Sequence, residues 1–76
     1  ASSDPALLLE RARDMDTVIN VLAKLPLRQQ QAFMLRVWEG LDTKATAEAM
    51  DCSEGSVKTH LSRAMHVLRA RLEEKE

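Results

Sequence analysis

The sequence predicts an all-α domain of four helices that contains a helix-turn-helix. Glycine and proline number two each among the 76 residues, and Phe33 and Trp38 are the only aromatic residues, a composition that disfavours a sheet with many turns. Apolar residues recur at spacings of three and four along most of the chain, which is the period of an α-helix. A chain this short forms one structural domain and buries about 60% of its unfolded surface, so a large catalytic cleft is not expected.

The first helix is predicted over residues 5–24. Asp4 is the expected N-cap, and Pro5 suits the first turn, where its missing N–H costs little. The helix ends before Pro26, because the residue that precedes a proline is biased away from the helical conformation. The apolar stripe expected to face the core consists of Leu8, Ala12, Met15, Ile19 and Leu22.

The second helix is predicted over residues 26–39. Pro26 suits its first turn, and Gly40 is a natural stop because glycine accepts the left-handed conformation without a steric cost. The expected buried side chains are Phe33, Leu35, Val37 and Trp38.

The last two helices have the spacing of a helix-turn-helix. Asp42 can cap a short helix over residues 43–50, and Ser53 can cap a longer one over residues 54–72. The short helix carries three small residues that allow close approach: Thr46, Ala47 and Ala49. The long helix carries an apolar stripe: Val57, Leu61, Ala64, Leu68 and Leu72. A short helix, a tight turn and a longer helix fit this motif, although ordinary helical bundles share the pattern.

Charge is concentrated on the last helix. Residues 53–72 hold four basic residues against one acidic residue, a net of +3, so the remaining residues carry −4 of the total −1. A major groove about 12 Å wide admits a helix, and we expect the N-terminal half of this one to enter it. Lys58 and Arg63 can reach guanine acceptors or phosphates, and Thr59 and Ser62 can contact base edges. The free N–H groups at the helix start suit a phosphate.

Several short motifs occur together in this part of the chain. They are Leu25-Pro26 followed by Arg28-Gln29, Leu35-Arg36, Glu39-Gly40-Leu41, Ala47-Glu48, and Ser53-Glu54-Gly55-Ser56-Val57-Lys58 leading into Leu61-Ser62-Arg63-Ala64. Over about two thirds of the chain, the combination resembles region 4 of the sigma-70 class of bacterial RNA polymerase initiation factors, particularly the extracytoplasmic-function group. The resemblance implies a four-helix domain that recognises the −35 promoter element and docks on the flap of the polymerase β subunit.

The resemblance also implies roles for individual residues. The base or groove contacts would be Lys58, Thr59, Ser62 and Arg63. The phosphate contacts would be Thr43, Lys44, Ser53, Ser56 and His60. The implied partners are double-stranded promoter DNA, the RNA polymerase core and an anti-sigma protein, with no cofactor. The first helix, residues 1–24, would overlap the linker to an upstream domain, and residues 25–76 would form the helix-turn-helix core.

Three residues depart from the family pattern. Most relatives have Ser in place of Asp42, a large aliphatic residue in place of Thr46 and Gly in place of Asp51. Asp51 can adopt the left-handed conformation at some cost. Thr46 predicts looser packing between the helices.

Two other interpretations remain open from the sequence. The last helix also looks like the output helix of LuxR and NarL-type response regulators, which bind DNA but lack the Leu25-Pro26 opening. The chain could instead be a helical protein-interaction module, in which Leu27 and Trp38 contact another protein and the basic helix is merely solvated. An exposed apolar patch around the second helix would be the sign of such a contact.

An enzyme or a metal site is not expected. His60 and His66 are six residues apart, about 240° round a helix, and cannot readily share a metal. Cys52 matches an apolar position of the turn, which favours packing over reactivity. The sequence has no run of about 20 apolar residues, and Ala1 to Asp4 lack the charged and apolar regions of a signal peptide, so we expect a cytoplasmic location without membrane contact.

Overall fold

The computed structural model describes residues 15–74, and these form four helices. Helix α1 is Met15–Lys24, and α2 is Leu27–Phe33, continued by a π-helical turn over Met34–Trp38. Helix α3 is Thr43–Met50, and α4 is Glu54–Glu74. The all-α prediction is confirmed.

The predicted bounds hold for some helices and not for others. The range 43–50 is that of α3, but α4 runs two residues beyond the predicted end. The predicted start at Pro26 is wrong: Pro26 is the N-cap of α2, with a ψ of 145° that is not helical. Residues 5–14 of the predicted first helix, with its Asp4 cap, lie outside the described residues.

The residues that start α3 and stop α2 are those that the sequence predicts. Asp42 caps α3, because its Oδ1 accepts the N–H of Ala45 at 2.7 Å. Gly40 follows α2 with a φ of 77°, the left-handed conformation that glycine favours. Leu41 N–H then donates to Leu35 O at 2.9 Å, one residue farther back than in the usual glycine-ended helix, because the π-helical turn adds a residue.

Within residues 15–74 the core consists of two adjoining clusters. In the first, α1 packs on α4, and Phe33 of α2 fills the space between them. The second cluster joins α3 to the start of α4, with Ala47 and Met50 against Val57 and Ala32. Leu61 contacts both clusters. Helix α4 is therefore the element on which α1, α2 and α3 pack.

The predicted core stripe of α1 is wrong at two residues. Met15 and Ile19 are 44% and 50% exposed, and the buried residues are Val18, Val21 and Leu22, with Leu25 just after the helix. Both sets have helical spacing, so the sequence of α1 carries two candidate stripes. Contact with Phe33 and α4 selects the second one. Leu8 and Ala12 of the predicted stripe lie outside the described residues.

The predicted burial of Trp38 is also wrong, since its side chain is 48% exposed. Phe33 is buried as expected, and Leu35 and Val37 are half-buried. Trp38 ends the π-helical turn, where Glu39 N–H donates to Met34 O, five residues back, at 2.9 Å. The extra residue in this turn changes the phase of the helix, so the spacing of an ordinary α-helix does not place Trp38 correctly.

The residue types unusual for the family are accommodated locally. Thr46 is fully buried, and its Oγ1 donates to Asp42 O at 2.8 Å. Asp51 adopts the left-handed conformation, with φ 55° and ψ 52°. Cys52 is half-buried against the second cluster, as its predicted packing role requires.

None of the described helices has the length and hydropathy to cross a membrane.

Candidate nucleic-acid interface

The turn between α3 and α4 is fixed by backbone hydrogen bonds on one side. Asp51 N–H donates to Glu48 O at 3.3 Å, and Cys52 N–H donates to Ala47 O at 3.0 Å. These bonds satisfy carbonyls that the end of α3 would otherwise leave unpaired. The left-handed Asp51 then reverses the chain toward α4.

A serine pair fixes the other side of the turn. Ser53 Oγ accepts the N–H of Ser56 at 3.0 Å, which is the predicted N-cap, and it also donates to Ser56 Oγ at 3.0 Å. Val57 N–H donates to Ser53 O at 3.1 Å. The Ser53 cap thus defines where α4 begins. The burial of Val57 determines which side of its first turns faces the core.

The four predicted base contacts lie together on the exposed face of α4. They are Lys58, Thr59, Ser62 and Arg63, and all four side chains are exposed. At about 100° per residue they occupy an arc of about 140°. The fully buried residues of α4 lie on the opposite side: Val57, Ala64 and Leu68.

The positive charges on this face are free. Lys58 and Arg63 make no ion pair and no side-chain hydrogen bond with another described residue. Glu54 lies one turn before Lys58, yet the two do not pair. Because no described acidic side chain compensates these two charges and their N–H donors are unused, this arc of α4 suits a polyanion.

The predicted phosphate contacts are more dispersed. Ser53 and Ser56 form the pair at the start of α4, whereas Thr43 and Lys44 open α3. Lys44 is exposed and Thr43 is half-buried. His60 is half-buried and lies about 200° round α4 from Lys58, on a flank of the helix rather than on the exposed arc.

Sequence reasoning missed two arginines that hold the motif in place. Arg28 Nη2 of α2 donates to Met50 O, at the end of α3, at 2.7 Å. Arg36 Nη1 donates to Leu41 O, in the loop before α3, at 2.6 Å. Arg36 and Leu41 are five residues apart, so sequence reasoning could have suggested this bond. Arg28 and Met50 are 22 residues apart, and no local signal joins them.

A groove of about 350 Å³ lies between α2 and α3, away from the exposed arc of α4. Its lining includes Leu27, Gln30, Met34, Leu35, Ala49 and Met50. Leu27 is 65% exposed at one end of α2, and the half-exposed Trp38 lies at the other end. Leu27 and Trp38, the two side chains that the sequence offered for a protein contact, are therefore both exposed, at opposite ends of the second helix.

Comparisons with known proteins agree on one family. The family model described as "Sigma-70, region 4" matches residues 15–68. The chain is 36% identical over 67 residues to the RNA polymerase sigma-E factor of Streptomyces avermitilis, which is 88% of this chain and 37% of that protein. It is 38% identical over 63 residues to the RNA polymerase sigma-E factor of Streptomyces coelicolor, which is 83% of this chain and 36% of that protein. The chain thus spans little more than a third of these relatives. No solved structure matches it.

Proposed function

Because this chain belongs to region 4 of the sigma-70 family, of the extracytoplasmic-function type, we propose that its α4 recognises the −35 element of a promoter. Region 4 is a DNA-binding domain of transcription initiation factors and not an enzyme. The observation that carries the proposal is the exposed arc of Lys58, Thr59, Ser62 and Arg63 on a helix whose opposite side is buried.

The arc supplies the groups that base recognition needs. Arg63 can donate two hydrogen bonds to the O6 and N7 acceptors of a guanine, and Lys58 can donate to the same acceptors or to a phosphate. Thr59 and Ser62 can hydrogen-bond to base edges, and the Thr59 methyl can pack on a thymine methyl. One good bidentate contact gives about 1–3 kcal/mol of discrimination between bases.

Phosphate contacts set the position of the helix in the groove. The side chains proposed for this role are Thr43, Lys44, Ser53, Ser56 and His60. Thr43 and Lys44 open α3, and the serine pair opens α4, so the proposed phosphate contacts lie at two helix starts. The N–H groups there that Asp42 and Ser53 do not cap can donate to a phosphate. His60 lies on the flank of α4, which favours contact with a strand that borders the groove over contact with the bases.

The net charge of −1 limits the affinity of the isolated domain for DNA. We propose that the groove between α2 and α3 docks on the β flap of RNA polymerase, with Leu27 as an apolar contact. Two weak contacts on one complex reinforce each other, because the first raises the effective concentration for the second. An anti-sigma protein that covers the same groove would prevent this docking.

Selection of duplexes from a random DNA pool tests the recognition of DNA. The enriched sequences should share a short element, and Arg63→Ala should weaken binding to it about tenfold or more while weakening binding to random duplex less. Arg71→Ala is the matched control, since Arg71 is an exposed arginine near the other end of α4. An equal loss on both duplexes would make Arg63 a phosphate contact, and a pool without enrichment would contradict sequence recognition.

Binding to the isolated β flap tests the docking proposal. Leu27→Asp should abolish saturable binding because it replaces the most exposed large apolar side chain of the groove lining with a charge. Ile19→Asp is the control, since Ile19 is also an exposed apolar residue but lies on α1, outside the groove lining. Equal binding by the two variants would contradict docking at this groove.

A further inference from the structure

The side chain of Arg28 bridges α2 and the turn of the helix-turn-helix. Its Nη2 donates to Met50 O at 2.7 Å, and its Nη1 donates to Gln31 Oε1 at 3.2 Å. Gln31 lies one turn farther along α2, so the two bonds hold the guanidinium in one orientation. Both contacts are partly buried, which protects them from competition by water.

Met50 O is a carbonyl that needs such a donor. It is the last carbonyl of α3, and the last carbonyls of a helix lack intrahelical partners and carry partial negative charge. The carbonyls of Ala47 and Glu48, earlier in the last turn of α3, are satisfied by the N–H groups of the turn. The Arg28 guanidinium that donates to Met50 O therefore satisfies a third carbonyl at the end of α3 and places a positive charge at the negative end of the helix.

We propose that Arg28 is a positioning residue for DNA recognition. It fixes the end of α3 against α2, and this end is the point at which left-handed Asp51 redirects the chain into α4. Helix α3 has only eight residues, and its buried contacts come from Thr46, Ala47 and Met50, so the bond at its last carbonyl is a substantial constraint. This inference rests on the proposed function, since its effect is measured as DNA affinity.

Amide hydrogen exchange on the 76-residue chain tests the structural half of this proposal. In Arg28→Gln, the amides of Asp51 and Cys52 should exchange about tenfold faster relative to the core amide of Leu68, which corresponds to about 1.4 kcal/mol. Lys24→Gln is the matched control, because it removes the same charge from an exposed residue at the end of α1. Its exchange at the turn should equal that of the wild type.

DNA binding over a range of salt concentrations tests the functional half. Arg28→Gln should weaken binding to a mixed-sequence duplex about tenfold without changing the salt dependence, because no phosphate contact is lost. Lys58→Gln should instead reduce the salt slope by about one. Arg28→Lys should recover part of the affinity, since an ammonium can donate to Met50 O but cannot also hold Gln31 in the fork geometry of arginine.

The outcomes separate the two proposals. Unchanged exchange at Asp51 and Cys52 in Arg28→Gln would overturn the positioning role, and so would a salt slope reduced as in Lys58→Gln, because Arg28 would then touch a phosphate. If the wild-type chain binds no duplex, the proposed function and the positioning role for DNA both fail. Faster exchange in Arg28→Gln would in that case still establish its hold on the turn.

Discussion

Replacing Val57 with aspartate should largely unfold the domain at neutral pH. Val57 is 1% exposed and packs in the cluster of Ala32, Ala47 and Met50. Loss of its apolar burial costs about 1.5–3 kcal/mol. Holding the introduced carboxyl protonated at pH 7 costs about 4 kcal/mol more, since each unit above its ordinary pKa of about 3.9 is worth about 1.36 kcal/mol. A domain of this size has about 4–11 kcal/mol of stability in total, so a loss of about 6 unfolds a domain in the lower part of that range and removes about half of the stability of one at the top.

The pH dependence gives this prediction a sharper test. Burial raises the pKa of the introduced carboxyl in the folded state, so the folded state binds more protons than the unfolded state between the two pKa values. The variant should therefore regain about 4 kcal/mol near pH 4 and lose it again as the pH rises. Urea unfolding followed by circular dichroism at both pH values measures this.

Lys58→Asp is the matched control, because it places the same side chain one residue later, on the exposed face of α4. It should remain folded at both pH values. If Val57→Asp were as stable as Lys58→Asp at pH 7, Val57 would not face the core. The assignment of the opposite face of α4 to DNA would then be refuted as well.

Three further changes test the helix ends and the core by urea unfolding. Asp42→Ala removes the N-cap of α3 and should cost about 1 kcal/mol, whereas Asp42→Ser, which keeps an acceptor, should cost less than half of that. Thr46→Val should stay within about 0.5 kcal/mol of the wild type, because Asp42 O still accepts Thr46 N–H at 2.9 Å. Thr46→Ser, which loses a buried methyl group, should cost about 1 kcal/mol, and a larger loss in Thr46→Val than in Thr46→Ser would contradict this account. Asp51→Ala should cost about 1 kcal/mol, while Asp51→Gly should cost nothing, because alanine is more strained than aspartate in the left-handed conformation and glycine is not strained. Equal stability of the two Asp51 variants would argue against that strain.

The helix-turn-helix could be predicted from the sequence because its signals are local. A cap such as Asp42 or Ser53 acts on an N–H three residues away, so both caps are correctly predicted. The stripe of α4 is also confirmed, since Val57, Ala64 and Leu68 are buried and Leu61 and Leu72 are half-buried. The exposure of the candidate contact residues follows from that stripe, because residues on the other side of an amphipathic helix face solvent.

The errors arose where periodicity leaves more than one choice. Ile19 and Val18 both belong to stripes with helical spacing, and only contact with α4 decides which stripe is buried. The burial of Trp38 was predicted wrongly because a π-helical turn shifts the phase of α2. The sequence around Trp38 carries no signal for the extra residue in that turn. An aromatic side chain expected in the core is thus half-exposed beside the loop that leads to α3.

By itself the sequence determined the helical class, the helix caps and the basic face of α4, because each depends on residues within a few positions of one another. It also determined the family, through short motifs that occur together between residues 25 and 64. Only the tertiary structure decided which face of α1 is buried, how the groove between α2 and α3 forms, and that Arg28 closes the end of α3. These features join residues far apart in the chain. Their energies exist only after the helices pack, so no local pattern in the sequence encodes them.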